Sequence, residues 1–172
     1  MPPPPPSDHP SFRLCMLERP FKVVQLKPDD PIPEIYIRML TEQVTAEGRF
    51  ISLTRTNEEV SIVRECSNVE DADAAWRCIK IAGPMDFGRL SATLTKTTSI
   101  AMGPLIGVTG VMCNFTLPLK AAGIPIFAVS TWNTDYVLVP KESAEGAVNA
   151  LTQDGWHSRD YENLTIGHDA DV

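Results

Sequence analysis

Short apolar runs separated by polar breaks set the rhythm of this chain. FRLCML (12–17) and FKVVQL (21–26) read as strands, with Pro20 interrupting the run between them. The next segment, DDPIPEIYIRMLTEQVTAEG, opens with two prolines that suit the start of a helix. It then places Ile35, Met39, Leu40 and Val44 at helical spacing, which predicts one short amphipathic helix. FISLTRT and EVSIVRE alternate apolar and polar residues about Asn57-Glu58, the pattern of a half-buried hairpin. NVEDADAAW reads as one or two acidic helical turns ahead of a strand, WRCIKIAG, over 76–83.

The second half carries the same signals more clearly. GVTGVMCNFTLPLKAAG has a helical stripe of Val108, Val111, Met112, Phe115 and Leu119, with Pro118 expected to kink it and Gly123 to stop it. Two strands follow, IPIFAVST and YVLVP. SAEGAVNALTQDG then shows a serine cap, helix formers and a terminal glycine, and a last strand is expected near Trp156. Strand, helix, strand, strand, helix, strand is the ferredoxin-like order, so the expected fold class is α+β. The join between the two strands, Ser130-Thr131-Trp132-Asn133-Thr134-Asp135, is larger and more polar than the two residues a minimal hairpin needs. Either it is a binding site, or its side chains close hydrogen bonds on their own backbone.

The ends differ from the middle. Five consecutive prolines (2–6) favour polyproline II, so 1–11 reads as a disordered leader or a docking peptide for an SH3- or WW-like partner. The tail, 158–172, is polar and acidic and is expected to fray. Across 172 residues, 15 basic and 22 acidic side chains give a formal charge of −7, with no basic run to meet phosphates, which argues against nucleic acid. No window nears the ~20 apolar residues of a membrane span and no export signal is seen, so a soluble, cytoplasmic protein is expected, with no membrane partner. Without export, the glycosylation patterns at Asn114 and Asn163 carry no weight.

Composition also narrows the chemistry. Cys15, Cys66, Cys78 and Cys113 lack metal-ligand spacing and read as buried reduced thiols. His9, His157 and His168 all lie outside the predicted core, which disfavours a catalytic pairing. Neither G-x-x-x-x-G-K-[ST] nor G-x-G-x-x-G occurs, and Asp29-Asp30 and Glu58-Glu59 read as solvated charge. No catalytic residue, metal or cofactor is expected, and the chain is read as a non-enzyme.

Several motif pieces occur in order in the second half: GPMDF (83–87), Thr109-Gly110, AGIPIF (122–127) and STWNTDY (130–136). Together they resemble ACT domains of the CASTOR-like, aspartate-kinase-regulatory type. The first half, with FISLTRTNEEVSIV, is more weakly similar to the preceding module of the same tandem arrangement. The resemblance implies ferredoxin-like βαββαβ modules in tandem, with an antiparallel sheet and helices on one face. Module 1 would span 12–75 and module 2 76–157. Relative to the family, residues 88–106 form an insertion that leaves the helix intact: a surface excursion, a lid or a gene-model artefact.

The implied function is non-enzymatic: binding a small amino acid or related metabolite at the module interface, as a regulatory, amino-acid-sensing protein. The alternative is a ligand-free regulatory subunit that pairs through its sheet. Implied partners are an amino-acid ligand and either a second copy in a homo-oligomer or a regulated protein. Carried over by position, the ligand residues are Gly107, Val108, Thr109, Gly110 and Val111 at the helix start. With them go Phe127, Ala128, Val129, Ser130, Thr131, Asn133, Thr134 and Asp135. Helix-start N–H groups favour a carboxylate, Asp135 suits an ammonium group, and glycines 107 and 110 would permit close approach.

Overall fold

The computed structural model describes residues 6, 9–42, 50–66, 74–83 and 110–158. The elements are β1 (Leu14–Met16), β2 (Phe21–Leu26), α1 (Glu34–Thr41), β3 (Ile51–Arg55), β4 (Val60–Glu65) and β5 (Trp76–Ile81). They continue with α2 (Val111–Ala121), β6 (Phe127–Ser130), β7 (Asp135–Pro140) and α3 (Ala144–Gln153). The chain divides into a larger unit, Met1–Met16 with Ile79–Val172, and a smaller one, Leu17–Cys78. The fold class is α+β, with antiparallel strands and helices as expected. The acidic turns anticipated at NVEDADAAW fall largely on 67–73, outside the described residues.

In the larger unit the strands lie in the order β1-β5-β7-β6. Taken from β5, that is the arrangement of a βαββαβ module in which the fourth strand lies beside the first. Here the fourth place belongs to Leu14–Met16, near the amino terminus, a strand read above with the first half of the chain. It pairs antiparallel with β5, Leu14 opposite Ile81 and Met16 opposite Ile79. Among the described residues, which end at Ser158, no last strand forms near Trp156. Ser158 makes a single parallel bridge to Leu14, whose N–H donates to the His157 carbonyl at 2.8 Å. Pro10 and Ser11, read above as leader, already form a 3-10 turn with Phe12, which is buried.

One apolar face holds this unit together. Ile79 and Ile81 of β5 and Val137 and Val139 of β7 point to the same side as Val111, Phe115 and Leu119 of α2 and Ala147 and Leu151 of α3. Both helices therefore cover one face of the sheet. Trp156 fills the remaining space, its ring edge-on to Phe115 at 5.4 Å and 78°. Such a pair adds about 0.5–1.5 kcal/mol beyond area burial. Pro118 does not end α2, which runs on to Ala121 with the Ala122 N–H still reaching the Pro118 carbonyl at 3.0 Å. Gly123, with φ +68, stops it. Ser143 does not cap α3: a 3-10 turn, Lys141–Ser143, runs straight into the helix and holds Ser143 in the helical region, from which its hydroxyl makes no cap bond.

The smaller unit repeats the order as β3-β4-β2-β5, using the first part of β5 as its fourth strand. Leu26 pairs with Val60 and Phe21 with Glu65, and on the other side of β4 Arg55 pairs with Val60. Its core is Phe21, Val60, Ile62 and Val63 with Cys66 and Cys78. The amphipathic helix forms, but none of its residues is buried: Ile35, Ile37 and Leu40 stay exposed. After one short stretch the Thr41 hydroxyl turns back to the Ile37 and Arg38 carbonyls and the helix ends. Val44 lies outside the described residues.

The contrast between the helices fixes what substitution should do. Phe115→Ala empties the centre of the larger core and should cost about 3–5 kcal/mol in urea unfolding, whereas Ile35→Ala should cost under about 0.5 kcal/mol.

Candidate ligand site in the larger unit

The polar join is first of all a turn. The β6–β7 ladder runs from Phe127 opposite Leu138 to Ser130 opposite Asp135, leaving Thr131 to Thr134 to reverse the chain. No described non-glycine residue has positive φ, so Trp132-Asn133 does not adopt the primed turn that hairpins favour. The Thr131 hydroxyl closes the turn instead. It donates to the Thr134 carbonyl at 2.9 Å and accepts the Thr134 N–H at 3.3 Å, beside a backbone bond from the Thr131 N–H to the same carbonyl at 2.9 Å.

The smaller unit builds its hairpin in the same way. The Thr56 N–H donates to the Glu59 carbonyl at 2.9 Å, and the Thr56 hydroxyl accepts from the Glu58 and Glu59 N–H groups at 3.1 Å. Much of the polarity that singled out the join is thus structural.

What the repeated turn does not explain is Thr134 and Asp135. Thr134 is buried, and its hydroxyl donates to the Ile81 carbonyl, fixing the turn against the end of β5. Asp135 is 6% exposed. It falls on the alternation of Val137 and Val139, the face that meets the helices, and in the smaller hairpin the same position is Val60, fully buried. No hydrogen bond or ion pair among the described residues engages its carboxylate. A carboxylate has taken the place of a core valine.

The start of α2 lies at the same end. β5 runs up to Ile81, α2 runs back and β6 returns, so the first turn of α2 and the β6–β7 turn share one end of the sheet. Gly110 precedes α2 with φ +83 and, lacking a side chain, makes no cap bond itself. A Cβ there would meet nothing within 4 Å, so the backbone conformation, not crowding, calls for glycine. The Asn114 N–H takes the Gly110 carbonyl at 2.9 Å, and the N–H groups of Val111, Met112 and Cys113 precede that first helical bond. The Val111 side chain itself is core.

The remaining candidates disperse. Gly107, Val108 and Thr109 lie outside the described residues. Phe127 and Val129 are half-buried on the face away from the helices, with Tyr136 and Leu138 opposite them across the ladder. Lys80 Nζ stands 5.7 Å from the Tyr136 ring centre on that face. Ala128, Ser130, Thr131 and Asn133 are exposed. Two features were missed: the Ile81 carbonyl, which no sequence pattern marks, and Trp132, which is 69% exposed at the tip of the turn.

The thiols differ from expectation as well. Cys66 and Cys78 are buried, whereas Cys113 is exposed because it sits between the inward positions 111 and 115 of α2. An open cleft of about 450 Å³ runs along α2, lined from Cys113 and Thr116 through Leu117 and Lys120 to Ile124, Pro125 and Ile126. No helix among the described residues is long and apolar enough to cross a membrane.

Comparison with solved structures and family models finds likenesses of fold and one family match. Protein Atu0741 from Agrobacterium tumefaciens aligns with a TM-score of 0.55 at 23% identity, covering 85% of this chain and 90% of that one. Protein VC0802 from Vibrio cholerae, described as of unknown function and a possible transport protein, aligns at 0.51 and 17% identity, covering 85% and 91%. The likeness is one of fold. A weaker one, TM-score 0.46 at 14% identity over 80% and 95%, is to the ligand-free regulatory subunit of aspartate kinase from Thermus thermophilus. Residues 95–153, from within the segment 88–106 to the end of α3, match the family model of the ACT domain.

Proposed function

We propose that this protein is a non-catalytic regulatory protein whose ACT-like larger unit binds a small amino acid. The ligand ammonium meets Asp135, and its carboxylate meets the backbone N–H groups at the start of α2. The observation that carries this reading is Asp135 itself, a buried acidic residue where the companion hairpin has Val60. Asp135 is largely buried as a residue while its carboxylate oxygens stay open at the surface, where an ammonium group is the counter-charge that a carboxylate takes. A helix start whose N-cap is glycine supplies N–H donors and a favourable dipole for the other end of a zwitterion. The ACT match over 95–153 points the same way.

In this reading Ser130, exposed and directly opposite Asp135, is a further polar contact for the ligand, while Thr131 acts by holding the turn. The two units are tandem modules of one type, and 88–106 is an insertion within the second.

Thermal unfolding against each of the twenty amino acids tests the proposal. An amino acid at 100 times its dissociation constant should stabilise the protein by about 2.7 kcal/mol. No shift with any of them at millimolar concentration overturns the reading. Asp135→Asn should abolish the shift. Thr131→Val should lower the stability of the ligand-free protein by about 0.5–1.5 kcal/mol through the lost turn bonds, yet keep the ligand-induced shift.

A further inference from the structure

The sheet of the larger unit has a second face, turned away from α2 and α3, and its charges are one-sided. Phe12 and Leu14 point into the core, so alternation turns Arg13 and Cys15 to the other side. Cys15 stands opposite Lys80, and the Ala82 N–H reaches the Arg13 carbonyl at 2.7 Å, which continues the β1–β5 ladder by one residue. Arg13 and Lys80 are therefore diagonal neighbours on adjacent strands. Such positions lie about 7–8 Å apart, within reach of long side chains. Lys80 Nζ also stands over the Tyr136 ring, 5.7 Å from its centre. The other side chains described on this face, among them Cys15, Phe127, Val129 and Leu138, bring no carboxylate. In a chain of 15 basic and 22 acidic residues, that distribution runs against the composition.

Neither cation has a counter-charge. Arg13 is half-buried, and its Nε is shut off from solvent without a hydrogen-bond partner. No hydrogen bond or ion pair among the described residues engages the rest of its guanidinium, and none engages Lys80 Nζ. The terminal nitrogens of Arg13 and Lys80 Nζ are not shut off in this way, so each charge is presented outward from a packed stem. Packing of an arginine stem along apolar surface accounts for the buried Nε. It does not account for a second cation placed beside the first, because like charges across neighbouring strands repel unless an anion lies between them.

We propose that this face binds a small oxyanion, a phosphate or a carboxylate group, between Arg13 and Lys80. The planar guanidinium offers such a group parallel N–H donors, and the lysine adds a compact charge from the adjacent strand. The ring of Tyr136 keeps Lys80 on the face where the anion would sit. Asp135 follows the inward alternation of Val137 and Val139, toward the helices, so the two sites lie on opposite faces of the sheet. The anion site draws on neither Asp135 nor the start of α2, and it stands or falls separately from amino-acid binding.

Thermal unfolding of the full chain in inorganic phosphate and, separately, in succinate provides the test, with sodium chloride at equal ionic strength as the reference for screening. At least one of the two anions should raise the unfolding midpoint at millimolar concentration, in a way that saturates, and the one that does identifies the group. General stabilisation by an excluded salt neither saturates nor responds to single substitutions. Lys80→Gln and Arg13→Gln should each weaken binding by about tenfold or more, as loss of a charge-assisted hydrogen bond does. As a check independent of folding losses, the saturating anion should protect Arg13 of the wild type from phenylglyoxal, read by peptide mass spectrometry. The exposed Arg38 of α1 should react equally with and without it. A response to both anions no different from chloride, binding that survives both substitutions undiminished, or labelling of Arg13 that the anion does not slow would each overturn the proposal.

Discussion

A threonine hydroxyl closes each of the two hairpins, and the chemistry at that end of the larger unit depends on it. A two-residue reversal with negative φ throughout does not by itself return the chain with the twist its strands require. The Thr131 hydroxyl supplies the missing hydrogen bond, so the turn needs neither glycine nor left-handed asparagine. That frees the two tip positions for other residues, and one of them is an exposed tryptophan. The bond from Thr134 to the Ile81 carbonyl then fixes the turn to β5, and Asp135 is held where a core residue would stand.

The two units share a strand order but carry different loads. In the larger one, α2 and α3 together bury five side chains against Ile79, Ile81, Val137 and Val139, and Trp156 closes the core behind Phe115. Such a scaffold can hold a buried acid in place. In the smaller one, α1 has no fully buried residue, only the half-buried Tyr36 and Met39, and the core is built from the sheet residues Phe21, Val60, Ile62 and Val63. Its hairpin carries valine and arginine where the larger one carries aspartate and serine. The same backbone device therefore serves a plain turn in one place and frames a candidate site in the other.

Much of this was legible from alternation and periodicity. The strands at 21–26, 51–55 and 60–65, the stripe Val111-Phe115-Leu119 and the hairpin at Asn57-Glu58 appear where the pattern places them. What failed to show were features set by distant partners. No local signal tells that Leu14–Met16 completes the unit of the second half, because that pairing spans more than sixty residues. Helical spacing in α1 reported amphipathicity, but whether an apolar stripe finds a surface to cover is a tertiary matter. Ser143 looked like a cap because caps are read from residue type, whereas the cap bond depends on a backbone conformation the preceding 3-10 turn does not allow. At the site, polarity drew attention to the whole join, although half of it closes the turn. The sharper clue lay in parity: Asp135 shares the inward alternation of Val137 and Val139.

That parity also bears on how a ligand site of this kind is tuned. A carboxylate on a largely buried residue gives up part of its hydration, and replacing a charged group in such a position by an apolar residue of similar size is often stabilising. Val60 is that apolar solution, realised in the same turn of the same chain. If stability alone governed this end of the larger unit, valine would serve at position 135 as well. A buried acid lowers the stability of the empty state and raises the gain on arrival of a cation, so the difference between the two states grows at both ends. Regulation requires such a difference, because a ligand shifts a conformational or assembly equilibrium only by as much as it distinguishes the states.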